Sequence, residues 1–201
     1  MLACESQIVM PYCKRGSLFS FLQKGLQFTE CELIEIASYC LIGLDYLHSQ
    51  DITHGVRLCT VVDGLESQAG HLFLTDEGVL KMADYGLLSA IRQCCRRQHT
   101  LHDTFIYTAP EVFEGKEELK SDVWSLGVTL MELAERVNPF FGMSTMKLVT
   151  RVMKEEPPTL SLNKWSSDFV DFVKQCMTKD VEKRPCVNDL MNVGANEWSD
   201  G

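Results

Sequence analysis

Two short stretches carry the side chains best suited to chemistry. In "RQCCRRQHTLH" the vicinal Cys94 and Cys95 stand among Arg92, Arg96 and Arg97, a cationic setting that lowers a thiol pKa and favours redox or nucleophilic reactivity. His99 and His102 follow closely, yet the paired ligand spacings of zinc modules are missing, so a solvated basic loop is the simpler reading. In "THGVRLCTVV" His54 precedes Gly55 and Val56, and the polar, Gly-containing "LCTVVDGLESQAG" then supplies Asp63 and Glu66. Either carboxylate could act as a general base, although such a loop is usually just solvated. Val56, an apolar β-branched residue, has no proton-accepting atom and is better suited to packing.

Positioning any of these groups requires regular elements around them. "SQIVMPYC" reads as a buried strand, and Gly16 permits a turn before "LFSFLQKG" opens a helix. In "TECELIEIASYCLIGLDYLHSQ", Thr29 and Glu32 have capping-box spacing, and Leu33, Ile36, Ala37, Cys40, Leu44 and Leu47 share one helical stripe. "HLFLTDEGVLKMADYG" predicts a hairpin turning at "TDEG". "KSDVWSLGVTLMELAE" is apolar nearly all round, which predicts a central buried helix capped by Ser121. "STMKLVTRVMKEE" and "SSDFVDFVKQCMTKD" predict amphipathic helices, the second with apolar positions 169, 170, 173, 176 and 177, and "KRPCVNDLMN" a turn and a final short helix.

Composition narrows the classes. A chain of 201 residues, 45% hydrophobic and 23% charged, fits one domain with a real core. A net charge of −9 without a Lys/Arg block disfavours nucleic acid and anionic membrane as partners. No apolar run approaches the roughly 18 to 20 residues of a membrane span, and "MLACESQIVMPYC" lacks the basic start of a signal peptide. The nine scattered cysteines read as reduced core thiols, and a cytoplasmic location is expected.

The ordered set "YLHSQDITHGV", "KMADYG", "YTAPE", "SDVWSLG" and "KRP" resembles the second lobe of protein kinases from about Gln7 to about Met191, and "SDVWSLGVTLMELAE" is similar to the serine/threonine kinases of the mitogen-activated cascades. The resemblance implies a mainly α fold: a kinase-like C-lobe with a short β-hairpin and an N-terminal hinge strand, the N-lobe largely absent. It implies a kinase-like domain over 1–194 and a flexible tail over 195–201. It also implies a structural ion pair between Glu111 and Arg184, and a role for Asp122 in accepting backbone donors from the loop around His54.

The same resemblance shows what has changed. Kinases use H-R-D-L-x-x-x-N, where the Asp accepts the substrate hydroxyl proton and the Asn holds a metal. Here His54 is kept, Gly55 replaces the arginine and Val56 replaces the base. His71 falls at the asparagine position after an insertion of about ten residues. Asp84 in "ADYG" matches a metal ligand, with Tyr85 in place of phenylalanine and expected to lie near His54. With His71 as its companion, Asp84 would hold Mg²⁺ weakly. The Gly-rich loop and strand lysine that hold ATP are not expected in the nine residues before "MPYCKRGS".

Ser89, Thr100 and Thr104 are phosphorylation candidates in the segment matching the activation loop, where the arginine that would read a phosphate is now Gly55. The expected function is that of a pseudokinase: a signalling interaction or scaffold module needing no cofactor and binding protein partners such as another kinase or signalling component. A surface near Ile8, Met10, Leu72 and Leu74 is expected to be left uncovered for a partner. The alternative is an ATP- and Mg-dependent serine/threonine kinase with an N-lobe outside this chain and an atypical base.

Overall fold

The computed structural model describes residues 11–55, 72–83 and 102–197, with side chains described for 11–55, 72–83 and 105–192. Helix α1 (Leu18–Gln23) starts at Ser17, whose Oγ accepts the Ser20 N–H at 3.3 Å. Helix α2 (Glu30–Ser49) starts at the expected capping box: Thr29 N–H donates to Glu32 Oε2 at 2.7 Å and Glu32 N–H to Thr29 Oγ1 at 3.3 Å. Its predicted stripe is buried throughout, and Leu41 joins it. Strands β1 (Leu72–Leu74) and β2 (Leu80–Met82) pair antiparallel with Leu72 opposite Met82 and Leu74 opposite Leu80. Gly78, at φ +86°, makes the tight turn between them. Leu74 N–H donates to Gly16 O at 2.9 Å, tying the turn before α1 to the hairpin.

A six-residue 3-10 turn (His102–Tyr107) leads into the short α3 (Pro110–Phe113), then α4 (Lys120–Glu135), α5 (Thr145–Lys154), α6 (Ser167–Cys176) and α7 (Val187–Glu197). Every residue of α4 from Ser121 to Leu133 is buried, as expected for a helix enclosed on all sides. Helices α2 and α6 pack against it, and the 3-10 turn lies on it as well. Gly127 makes the approach of α6 possible, because a Cβ there would lie 2.7 Å from Met177 Cγ and 2.9 Å from Cys176 Cβ. Leu33, Leu41, Leu44, Leu126, Phe169 and Phe172 are among the largest fully buried side chains, each contributing about 1.5–3 kcal/mol by leaving water.

Five expectations need correction or restriction. Ser121 does not cap α4: Leu119, the N-cap, already has helical angles (φ −55°, ψ −38°), and the Ser121 hydroxyl accepts from Glu118 N–H and donates to Glu111 instead. Leu72 is not uncovered, being 1% exposed within the core, and Leu74 is half-buried because the hairpin packs on α1 and α2. On α6 the buried stripe is Phe169, Phe172, Val173 and Cys176, while Val170 is only half-buried. Helix α7 continues through Gly194 to Glu197, three residues into the segment assigned to the tail. The hinge strand, with Ile8 and Met10, lies outside the described residues, and Pro11–Cys13 has no strand structure.

Candidate functional site

Helix α2 ends so as to turn the chain back over the start of α4. Asp51 adopts φ +58°, its N–H donates to His48 O, and Ile52 N–H donates to Leu47 O, both at 3.0 Å. This is the pair of bonds by which a left-handed residue closes a helix C-terminus. The loop it launches, Ile52–Gly55, meets the buried Asp122 carboxylate in the first turn of α4. Oδ2 accepts the His54 N–H at 2.8 Å and lies 2.9 Å from His48 Nε2, while Oδ1 accepts the Gly55 N–H at 2.9 Å. One side chain, 3% exposed, therefore fixes the backbone of the loop and the last turn of α2 together.

Gly55 sits at φ +76°. A side chain is strained in that conformation by about 1 kcal/mol, and a Cβ would also lie 3.1 Å from Glu117 Oε1. Glycine at this position thus does more than remove an arginine: it lets the clamped backbone take its shape without strain. His54 is buried at 2% exposure, within the core rather than on a solvent-facing wall.

A second constellation locks α3 against the far end of the fold. Glu111 and Arg184 form a bidentate pair, Nη1 to Oε1 at 2.7 Å and Nη2 to Oε2 at 3.0 Å. Arg184 is fully buried, and its remaining donors go to the carbonyls of Thr178, Lys120 and Lys179, so all five N–H groups are used. Its guanidinium also stands over the Trp124 ring, 5.4 Å from the centroid. Burial alone would raise the Glu111 pKa; the bonds and charge of Arg184, with help from its backbone and the Ser121 hydroxyl, outweigh it and hold the carboxyl below the ordinary range. This is a structural lock with no open position for a substrate.

Of the remaining sequence candidates, Val56, Asp63, Glu66, His71, Asp84, Tyr85, Ser89, Cys94, Cys95, His99 and Thr100 lie outside the described residues, and Thr104 is described only as backbone in the 3-10 turn. Among the described residues no group of three or more His, Cys, Asp or Glu side chains could hold a metal ion. The donor pair that resemblance assigns to Mg²⁺, an imidazole at His71 and one carboxylate at Asp84, fits a hard oxygen-seeking ion poorly, and no chemical step is derived through it.

Sequence reasoning overlooked His48 and Glu132, and gave Ser121 the wrong role. His48 lies four residues beyond Leu44, on the edge of the buried stripe, and Glu132 is a carboxylate within the most apolar helix. A polar residue in an apolar pattern was the available signal in both cases. Ser121 left no such signal, because its partner Glu111 is ten residues away in a different element.

A loop clamped by a carboxylate at the start of a buried helix, together with a buried Glu–Arg pair and a hairpin packed on α1 and α2, is the second-lobe framework of one protein class. The chain belongs to the protein kinase family: the model described as "Protein kinase domain" matches residues 4–194. It is 35% identical over 187 residues to serine/threonine-protein kinase dst1 of Dictyostelium discoideum, covering 92% of this chain and 24% of that relative. It is 36% identical over 190 residues to serine/threonine-protein kinase TAO1-A of Xenopus laevis and 38% identical over 190 residues to serine/threonine-protein kinase Tao of Drosophila melanogaster, in each case covering 92% of this chain and 17% of the relative. The chain thus spans less than half the length of these curated relatives. Its fold is that of a kinase C-lobe, mainly helical with a two-stranded sheet. Among the described residues no helix is long and apolar enough to cross a membrane.

Proposed function

We propose that this chain is a catalytically impaired kinase-like domain, a pseudokinase, that acts as a cytoplasmic signalling module by binding other proteins. One observation carries the reading. The catalytic-loop backbone is held on α4 through His54 and Gly55, and the next residue in the sequence is Val56, where the family has its proton-accepting aspartate. Losing positioned acid–base help costs on the order of 10² to 10⁴ in rate, and losing the phosphate clamps adds to that cost. The parts that are kept, Asp122 with its loop and Glu111 with Arg184, are those that preserve shape. Under this reading neither ATP nor Mg²⁺ is required, and the partners are proteins such as another kinase or signalling component.

A second reading is favoured by the relatives, whose names are those of serine/threonine kinases. In it, a Gly-rich loop and lysine outside this chain complete an ATP site, and Asp63 or Glu66 serves as the base. Titration with Mg·ATP of this chain and of any longer product containing it separates the two. The first reading expects no saturable binding at micromolar nucleotide; micromolar binding that is lost in Asp84→Asn would overturn it in favour of the second.

A further inference from the structure

Among the described residues two glutamates are buried in the core, and their surroundings are opposite. Glu111 has an arginine, whereas Glu132, on the fourth turn of α4 and 1% exposed, has none. Its Oε2 accepts from the Tyr107 hydroxyl, in a short contact at the end of the 3-10 turn, and from Asn138 Nδ2 at 3.4 Å in the loop after α4. Asn138 is itself buried, and its Oδ1 accepts the Phe140 N–H at 2.9 Å, so the contact fixes the course of that loop. Of the elements packed here, the 3-10 turn presents Tyr107 and the loop presents Asn138. No charged side chain from α2, α5 or α6 bonds or ion-pairs with Glu132 among the described residues. Both donors are neutral.

An ionised carboxylate in an apolar interior with only neutral donors is costly, and it recovers that cost by taking up a proton or meeting water. Movement of either segment that bonds to it would open a way for water to reach Glu132. We propose that Glu132, Tyr107 and Asn138 form a proton-operated latch: protonated Glu132 keeps the turn ending at Tyr107 and the loop around Asn138 seated on α4, and ionised Glu132 loosens both. The turn it holds includes the backbone of Thr104, so the latch would set how firmly that candidate phosphorylation site is presented. This inference does not depend on whether the domain is catalytic.

Burial pushes the Glu132 carboxyl up to about 7, against the lowering effect of Tyr107 and Asn138. A pKa raised on folding gives stabilisation that is complete below the ordinary value of 4.5 and is lost as pH rises through about 7. If water reaches the carboxyl in the opened state, the opening equilibrium should grow about tenfold between about pH 6 and about pH 8.

Hydrogen exchange read by mass spectrometry on the intact chain, corrected for intrinsic rates, tests this. Peptides covering 102–113 and 136–144 should lose about tenfold in protection over that interval while α2 peptides do not, and Glu132→Gln should abolish the difference between the two pH values. Equal pH dependence in wild type and Glu132→Gln, or none in wild type, would overturn the latch. Should Glu132→Gln fail to fold, carbon NMR titration of the wild-type glutamate carboxyls decides instead: one carboxyl titrating near neutrality supports the latch, and all titrating in the ordinary range refute it.

Discussion

Replacing Asp122 by asparagine removes one acceptor and leaves the shape of the side chain almost unchanged. In the native protein Oδ2 serves the His54 N–H and lies by His48 Nε2, while Oδ1 serves the Gly55 N–H. Asparagine has one oxygen and one NH₂ group, so the better of its two orientations keeps the His54 bond and turns a donor toward the Gly55 N–H. Each buried donor left unsatisfied costs about 1–3 kcal/mol, and bonds to a neutral amide are weaker than bonds to a carboxylate. The sum is about 2–4 kcal/mol of destabilisation. In urea unfolding with an m value of about 2 kcal/mol/M, the midpoint should fall by about 1–2 M with m unchanged. Glu35→Gln is the matched control, an exposed carboxylate on α2, expected to change stability by less than about 0.5 kcal/mol. If Asp122→Asn behaves like that control, the carboxylate is not what holds the loop.

Four further outcomes follow from the same geometry. Arg184→Met strands the Glu111 carboxylate and should cost about 3–5 kcal/mol, much of it recovered in the double variant with Glu111→Gln, as measured by chemical unfolding. The Glu111 pKa is lowered on folding, so its contribution is present above the ordinary carboxylate range and is lost as pH falls through the lowered value. Melting temperature should therefore drop more steeply in acid for wild type than for Glu111→Gln. Gly127→Ala pushes a Cβ to within 2.7 Å of Met177 and 2.9 Å of Cys176 and should cost about 1–3 kcal/mol through overpacking. Gly55→Ala, at φ +76°, should cost about 1 kcal/mol, read as a lower melting temperature than wild type.

What could be read from the residues alone was mostly local. The α2 capping box and stripe depend on neighbours three and four positions apart, and a helical pattern encodes those directly. The hairpin followed from alternation around "TDEG". The Glu111–Arg184 pair spans 73 positions, and nothing in either residue's surroundings announces the other; a recognised motif order was needed to join them. The same motif order drew attention to Asp122, but not to His48 as its third neighbour. The start of α4 was misassigned because a serine before an apolar run resembles a cap, whereas the tertiary acceptor Glu111 had already claimed its hydroxyl. Glu132 was passed over because an apolar pattern averages away a single carboxylate, and its partner Tyr107 lies 25 positions earlier. In each case what was missed is a bond across the fold.

Phosphoryl transfer itself is the most direct test of the proposed loss of catalysis. The purified chain, and any longer product containing it, should incorporate no radiolabelled γ-phosphate into itself or a general peptide substrate above background. Transfer that Asp84→Asn abolishes would contradict the account, because a valine would then stand in a working catalytic loop.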